Sequence, residues 1–146
     1  MSLENIVTEL NKKWSQAKEV GLTEIEKNFI KQYEPKNHFI VYGTLAPNRP
    51  NHSKIEHIKG VWHTGIVKGK LDSKGWGALL GYNGFKHCPL EEQEAIKAYV
   101  LFSNELSANW PFLDAFEGSE YRRVLAKFEL DNGDVGVGYI YALNEE

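Results

Sequence analysis

Cysteine is almost missing: Cys88 stands alone among 146 residues. No internal disulfide can therefore staple the fold, and the composition fits a reducing compartment better than the small secreted domains that depend on such bridges. An excess of one charge is also missing. Lys and Arg number 17 against 20 Asp and Glu, a formal net charge of -3, which supplies no footprint for a nucleic-acid backbone or an anionic membrane. No apolar run reaches membrane-spanning length. The opening Met1-Ser2-Leu3-Glu4 lacks the basic start and apolar centre of a secretory signal. A cytoplasmic protein engaging neither nucleic acid nor membrane is expected. The five histidines include no pair at metalloprotease spacing, and one cysteine cannot begin a cysteine cluster, so no metal is expected. Gly65-Ile66-Val67-Lys68-Gly69-Lys70-Leu71 is one residue short of a phosphate loop and ends on Leu71 where a hydroxyl is needed. Gly136-Val137-Gly138 lacks the third glycine and the strand-to-helix setting of a dinucleotide site. Repeats and low-complexity tracts are absent as well, which excludes solenoids and propellers.

What the chain does have is material for one core: 42% hydrophobic and 12% aromatic residues, far from the composition of disorder. Leu3, Val7, Leu10, Trp14 and Ala17 advance by fours and threes, which predicts a helix with one apolar face and Gly21 as a candidate stop. Thr23 and Glu26 have capping-box spacing and open a second helix that ends before Pro35. Residues 1–36 thus read as a helical extension, and its apolar stripe suits either the rest of the chain or a second subunit in a homodimer. Residues 37–146 read as a separate domain. Strands are predicted around His38–Tyr42, Gly60–Leu71, Trp76–Tyr82 and Ala95–Phe102. Tyr121–Leu130 and Val135–Leu143 flank Asn132-Gly133, a strong hairpin signal. A short helix is expected between Asn109 as cap and Gly118 as terminator. The fold class is α+β, a small mixed, largely antiparallel β-barrel with short helices. Gly136 and Gly138 leave one strand face bare, either to relieve twist or to admit a ligand.

Chemistry has few candidates. Cys88 reads as a small core residue, since no base or helix start is identifiable beside it. Trp62, Trp76 and Trp110 read as core. Glu117 falls in the last turn of the expected helix, where the dipole and the apolar Leu113 and Phe116 would raise its pKa toward the range of general acid/base work. By residue type alone, a glutamate beside a terminating glycine is first a solvated surface residue. Asp114, three residues earlier, is set aside as a sugar-cleaving partner because neighbouring helical carboxylates usually face water.

Two segments change that balance. Phe39-Ile40-Val41-Tyr42-Gly43-Thr44-Leu45, together with Leu113-Asp114-Ala115-Phe116-Glu117-Gly118 and the following Tyr121-Arg122-Arg123, resembles the gamma-glutamylcyclotransferase-like family, with its Tyr-Gly-(Ser/Thr)-Leu loop, Leu-Asp-x-x-Glu-Gly glutamate and Tyr-x-Arg strand. Gly69-x-Leu71 and Gly75-Trp76 are similar to its middle strands, so the likeness spans residues 37–146. Two departures stand out: Gly77-Ala78 occupies the place where many relatives carry Tyr-Pro, and the helical extension has no counterpart in the minimal core.

The resemblance implies a barrel with one cavity, floored by Tyr42, Gly43, Thr44 and Leu45, with Tyr121 and Arg123 at its border as further substrate contacts and Glu117 as the catalytic carboxylate. It implies a small gamma-glutamyl compound as substrate and 5-oxoproline as product, with no cofactor. The substrate's α-amine attacks its own γ-carbonyl, so ring closure carries a large effective molarity. Glu117 moves the protons and backbone N–H groups hold the oxyanion. A reading from another class keeps the barrel as a small-molecule binding or interaction module without catalysis.

Overall fold

Two helices lead into the barrel and stay attached to it. The computed structural model describes residues 3–15, 21–42, 47, 52–72, 84–118 and 121–143. Helix α1 spans Leu3–Ser15, and α2 spans Glu24–Tyr33 behind the expected capping box of Thr23 and Glu26. Helix α2 ends where Glu34 turns into the left-handed region at φ 45° ahead of Pro35.

Six strands follow among the described residues: β1 (His38–Val41), β2 (Val61–Asp72), β3 (Gly84–Lys86), β4 (Glu94–Phe102), β5 (Tyr121–Leu130) and β6 (Val135–Leu143). Strands β1, β4, β2, β5 and β6 pair in that order, and β1 meets β6 again in parallel at Phe39 and Tyr139, which closes a five-stranded barrel. Strand β2 leaves β5 after Val67, and β3 fills the widening gap by pairing with β2 at residues 70–72 and with β6 at Ala142. The β5–β6 hairpin turns through Asn132-Gly133 as its sequence predicts, with Gly133 at φ 95°. The strand expected at Trp76–Tyr82 lies outside the described residues.

Alternation sorts the side chains into three packed clusters. Val67, Phe85, Val100, Val124, Phe128 and Ile140 fill the barrel interior. On one outer flank, Phe39, Leu101 and Tyr141 pack against Leu106, Trp110 and Leu113 of helix α3 (Leu106–Glu117). On the other, Leu125 and Val137 pack against Ile6, Val7 and Leu10 of α1 and Phe29 of α2. Among the described residues, the apolar stripe of α1 (Leu3, Val7 and Leu10) is therefore spent on its own barrel.

The two glycines of β6 leave room for neighbours within the fold. A Cβ on Gly136 would sit 2.4 Å from the Phe128 ring, and one on Gly138 would sit 2.8 Å from the His38 Cβ and carbonyl oxygen. They admit a neighbouring ring and a neighbouring strand. Helix α3 also begins a turn earlier than expected. Leu106, fully buried, opens it, and Glu105 precedes it without a side-chain cap. Asn109 lies inside the first turn, its amide donating to the Glu105 carbonyl at 2.8 Å. Pro111, inside the helix, removes the intrahelical hydrogen bond that a backbone N–H would make to the Ser107 carbonyl.

Helix α1 is fastened by more than burial. The Asn11 amide donates to the Leu125 carbonyl at 2.9 Å and accepts from the Leu125 N–H at 2.8 Å. Leu10 is fully buried between helix and sheet. Truncating such a side chain costs about 2–5 kcal/mol, so Leu10→Ala is expected to lower the urea midpoint in one transition, seen alike by helical and aromatic signals. Separate loss of the helical signal would show instead that α1 unfolds on its own.

Candidate active site

Helix α3 carries the carboxylate of interest. Leu106, Trp110 and Leu113 bury one of its faces, and Gly118 ends it at φ 80° while donating its N–H to the Asp114 carbonyl at 3.1 Å. Glu117 is the last helical residue and is half-buried. Burial pushes its carboxyl up to about 7, and the negative end of the helix acts in the same sense. It is not the solvated residue that its type and position first suggest. At that pKa the group exchanges a proton readily near neutrality, the property required of a general acid and base.

Tyr42, just beyond β1, stands within reach of that charge. Burial raises its hydroxyl far above the ordinary phenol value, and the Glu117 charge adds to the rise. The hydroxyl donates to the Tyr141 carbonyl at 2.8 Å and accepts from the Phe85 N–H at 2.8 Å. Both hydrogen bonds pin the chain to β6 and β3 immediately before Gly43. Gly43, Thr44 and Leu45 lie outside the described residues.

Tyr121 and Arg123 share a face of β5, as expected, and with Asp114, Arg122 and Tyr141 they line a depression of 280 Å³. Arg123 is already engaged there. Its Nε and Nη2 donate to the two Asp114 oxygens at 3.0 and 3.3 Å, and the Tyr141 hydroxyl donates to Asp114 at 2.6 Å. The guanidinium also sits 4.8 Å from the Trp110 ring and 4.7 Å from the Tyr139 ring. A half-exposed ion pair contributes about 1 kcal/mol or less. Its value is geometric, because a planar two-point fork fixes orientation. One turn before Glu117, the fork ties α3 to β5 and β6. Asp114 was readable as Glu117's neighbour at i and i+3, but its role as an anchor needed the strand partner. The pairing of Tyr141 with Arg123 across the hairpin is the signal that could have pointed to it.

A larger groove of 630 Å³ lies elsewhere, between α1 and the outer faces of β2 and β5, with His87 and Cys88 on its wall. Cys88 is half-exposed there and not a core residue, because the loop carrying it runs over the barrel surface. Its thiol is raised by desolvation, the reverse of an activated nucleophile. His87 is lowered by burial and bonds the Leu125 carbonyl at 3.0 Å through Nε2. Size alone would favour this groove, but its shifted carboxyl, Glu4, is held below the ordinary carboxylate value by the Lys127 ammonium at 2.7 Å, the opposite of a group that exchanges protons near neutrality. Among the described residues no His, Cys, Asp and Glu cluster is arranged to hold a metal ion, and no helix is long and apolar enough to cross a membrane.

Comparison with known proteins bears on the fold and the family. An AIG2-like protein from Mus musculus is 24% identical, with a TM-score of 0.55 over 73% of this chain and 76% of its own. YkqA from Bacillus subtilis is 25% identical, with a TM-score of 0.56 over 74% of this chain and 36% of its own. A protein from Arabidopsis thaliana is 19% identical, with a TM-score of 0.51 over 73% of this chain and 61% of its own. These likenesses carry the barrel fold. No curated protein matches the chain at a significant level. Residues 39–146 match the family model for gamma-glutamyl cyclotransferase, AIG2-like, proteins, and since that match covers every barrel strand but the first residue of β1, the chain belongs to this family.

Proposed function

We propose that the chain is a gamma-glutamyl cyclotransferase that releases 5-oxoproline and a free amine or amino acid from a small gamma-glutamyl compound. One observation carries the reading: the family's glutamate, Glu117, is a half-buried carboxyl with a pKa of about 7, electrostatically coupled to the fixed hydroxyl of Tyr42. Its carboxylate takes a proton from the substrate's α-ammonium. The freed amine attacks the γ-carbonyl of the same molecule, the Glu117 carboxyl gives its proton to the leaving nitrogen as the C–N bond breaks, and the regenerated carboxylate takes the ring nitrogen's second proton and passes it to the released amine, which leaves as the ammonium. Atoms balance without a protein nucleophile or cofactor, and ring closure draws on the effective molarity of a tethered amine. Backbone N–H groups of Gly43, Thr44 and Leu45 are the proposed donors to the oxyanion. Tyr42, whose proton is committed to Tyr141, anchors that segment. Tyr121 borders the substrate.

Glu117→Gln keeps the shape and hydrogen-bonding capacity of the side chain and removes its proton transfer. A general acid/base group contributes about a hundredfold to ten-thousandfold in rate, so release of 5-oxoproline should fall by that order in the folded variant. The parent's kcat/KM should rise through a limb centred near pH 7, which the variant lacks. Equal rates in parent and variant would return Glu117 to the surface class. Absence of turnover with any gamma-glutamyl compound would favour the binding-module reading.

The same variant has a stability signature. A carboxyl raised from 4.5 to about 7 holds its proton in the native state over a window where the unfolded chain has lost it. The native state therefore binds more protons there, and stability declines as pH rises from the unfolded value through 7. Removing the group removes the decline. Glu117→Gln should gain up to about 3 kcal/mol between about pH 4.5 and about pH 8 relative to the parent, as read from urea unfolding at both values. A pH-independent difference would mean that the carboxyl is hydrated.

A further inference from the structure

The two consecutive arginines of β5 occupy different environments. Arg123 faces outward, where Asp114, Trp110 and Tyr139 enclose its guanidinium. Arg122 falls in the opposite phase, that of Val124, Ala126 and Phe128, whose side chains fill the barrel interior. It stands at the first turnable position of that face, before the core begins, and is exposed. Its cross-strand partner is Ala142, which pairs in turn with Phe85, the residue whose N–H is held by the Tyr42 hydroxyl. Arg122 therefore stands over the same barrel end as Tyr42. Among the described residues its side chain has neither a hydrogen bond nor an ion pair.

Charge in the depression is unbalanced. Of the described residues that line it, Asp114 brings one carboxylate and Arg122 and Arg123 two guanidiniums, and that carboxylate is bound bidentately by Arg123. One positive charge is left over, on Arg122. A gamma-glutamyl amino acid carries two carboxylates and one ammonium, a net negative charge, whereas a gamma-glutamyl derivative of a simple alkylamine carries none. A planar guanidinium fits a carboxylate at two points.

We propose that Arg122, not Arg123, is the arginine that meets substrate, and that it binds the carboxylate of an amino-acid leaving group, making gamma-glutamyl amino acids the preferred substrate class. This rests on the cyclotransferase reading above. Arg123 is a positioning residue that holds the last turn of α3 through Asp114.

Two substrates that differ only in that carboxylate test the assignment: gamma-glutamylalanine and gamma-glutamylethylamine. The parent should favour the first. Hydrogen bonds to a charged group are worth enough that Arg122→Gln should lower kcat/KM for gamma-glutamylalanine by about tenfold or more, and for gamma-glutamylethylamine by no more than about twofold, with Arg122→Lys between parent and Gln. Equal losses on both substrates would place Arg122 at the glutamyl half, and no loss on either would place it in solvent; both outcomes overturn the proposal. A second measurement needs no turnover. The Arg122 Nε–H resonance of the parent should move on titration with gamma-glutamylalanine and stay in place with gamma-glutamylethylamine. If neither compound yields 5-oxoproline the cyclotransferase reading fails by itself, while an unmoved Arg122 resonance with both ligands overturns the present inference in either case.

Discussion

Everything at the candidate site hangs on the closure of the barrel between β1 and β6. Strand β1 has four residues and must lie between β4 and β6, so its backbone has to approach β6 more closely than a side chain at Gly138 would allow. Once the ring closes, the end of β1 delivers Tyr42 to the backbone of Tyr141 on β6 and of Phe85 on β3. The same strand β6 turns the Tyr139 and Tyr141 side chains outward, where they receive Arg123 and Asp114. Helix α3 is thereby seated, and Glu117 at its end comes within electrostatic reach of Tyr42 and Tyr141. A single methyl group at position 138 would disturb that whole chain of dependencies.

Much of this was legible in the sequence because it is local. The hairpin turn, the capping box of α2 and the terminator of α3 each depend on a few adjacent residues, and each forms where its spacing predicts. The start of α3 was not legible, because Asn109 has the residue type of a cap, while the actual first turn forms to bury Leu106 against β1 and β4 side chains far away in sequence. The phase of β5 was obscured for a related reason. Val124, Leu125 and Ala126 are all buried, since α1 covers the face that would otherwise be polar, and the alternation that separates Arg122 from Arg123 disappears at that point. The burial of Glu117 is a tertiary property of docking, and only the resemblance to a family distinguished it from a surface glutamate.

The site also shows how an unfavourable group is held in place. A carboxyl at the C-terminal end of a helix, with its pKa raised by burial, favours a retreat of that last turn into water. Gly118 closes the turn with a hydrogen bond to the Asp114 carbonyl, and the Asp114 side chain is gripped from β5 and β6. Backbone and side chain of one residue thus restrain the segment from two directions. Strain at a functional position is maintained in this way when the surroundings over-determine it.

Strand β5 ends its pairing with β2 at Phe128, and for the residues before that its second edge has no strand beside it among the described residues. At Leu125 the Asn11 side chain supplies a donor and an acceptor in the arrangement of a peptide group, and His87 adds a second donor to the carbonyl. The amide is in effect a one-residue strand. A free β-edge is a template for intermolecular pairing, so the helical extension also caps an edge that the strand of a second barrel could otherwise extend.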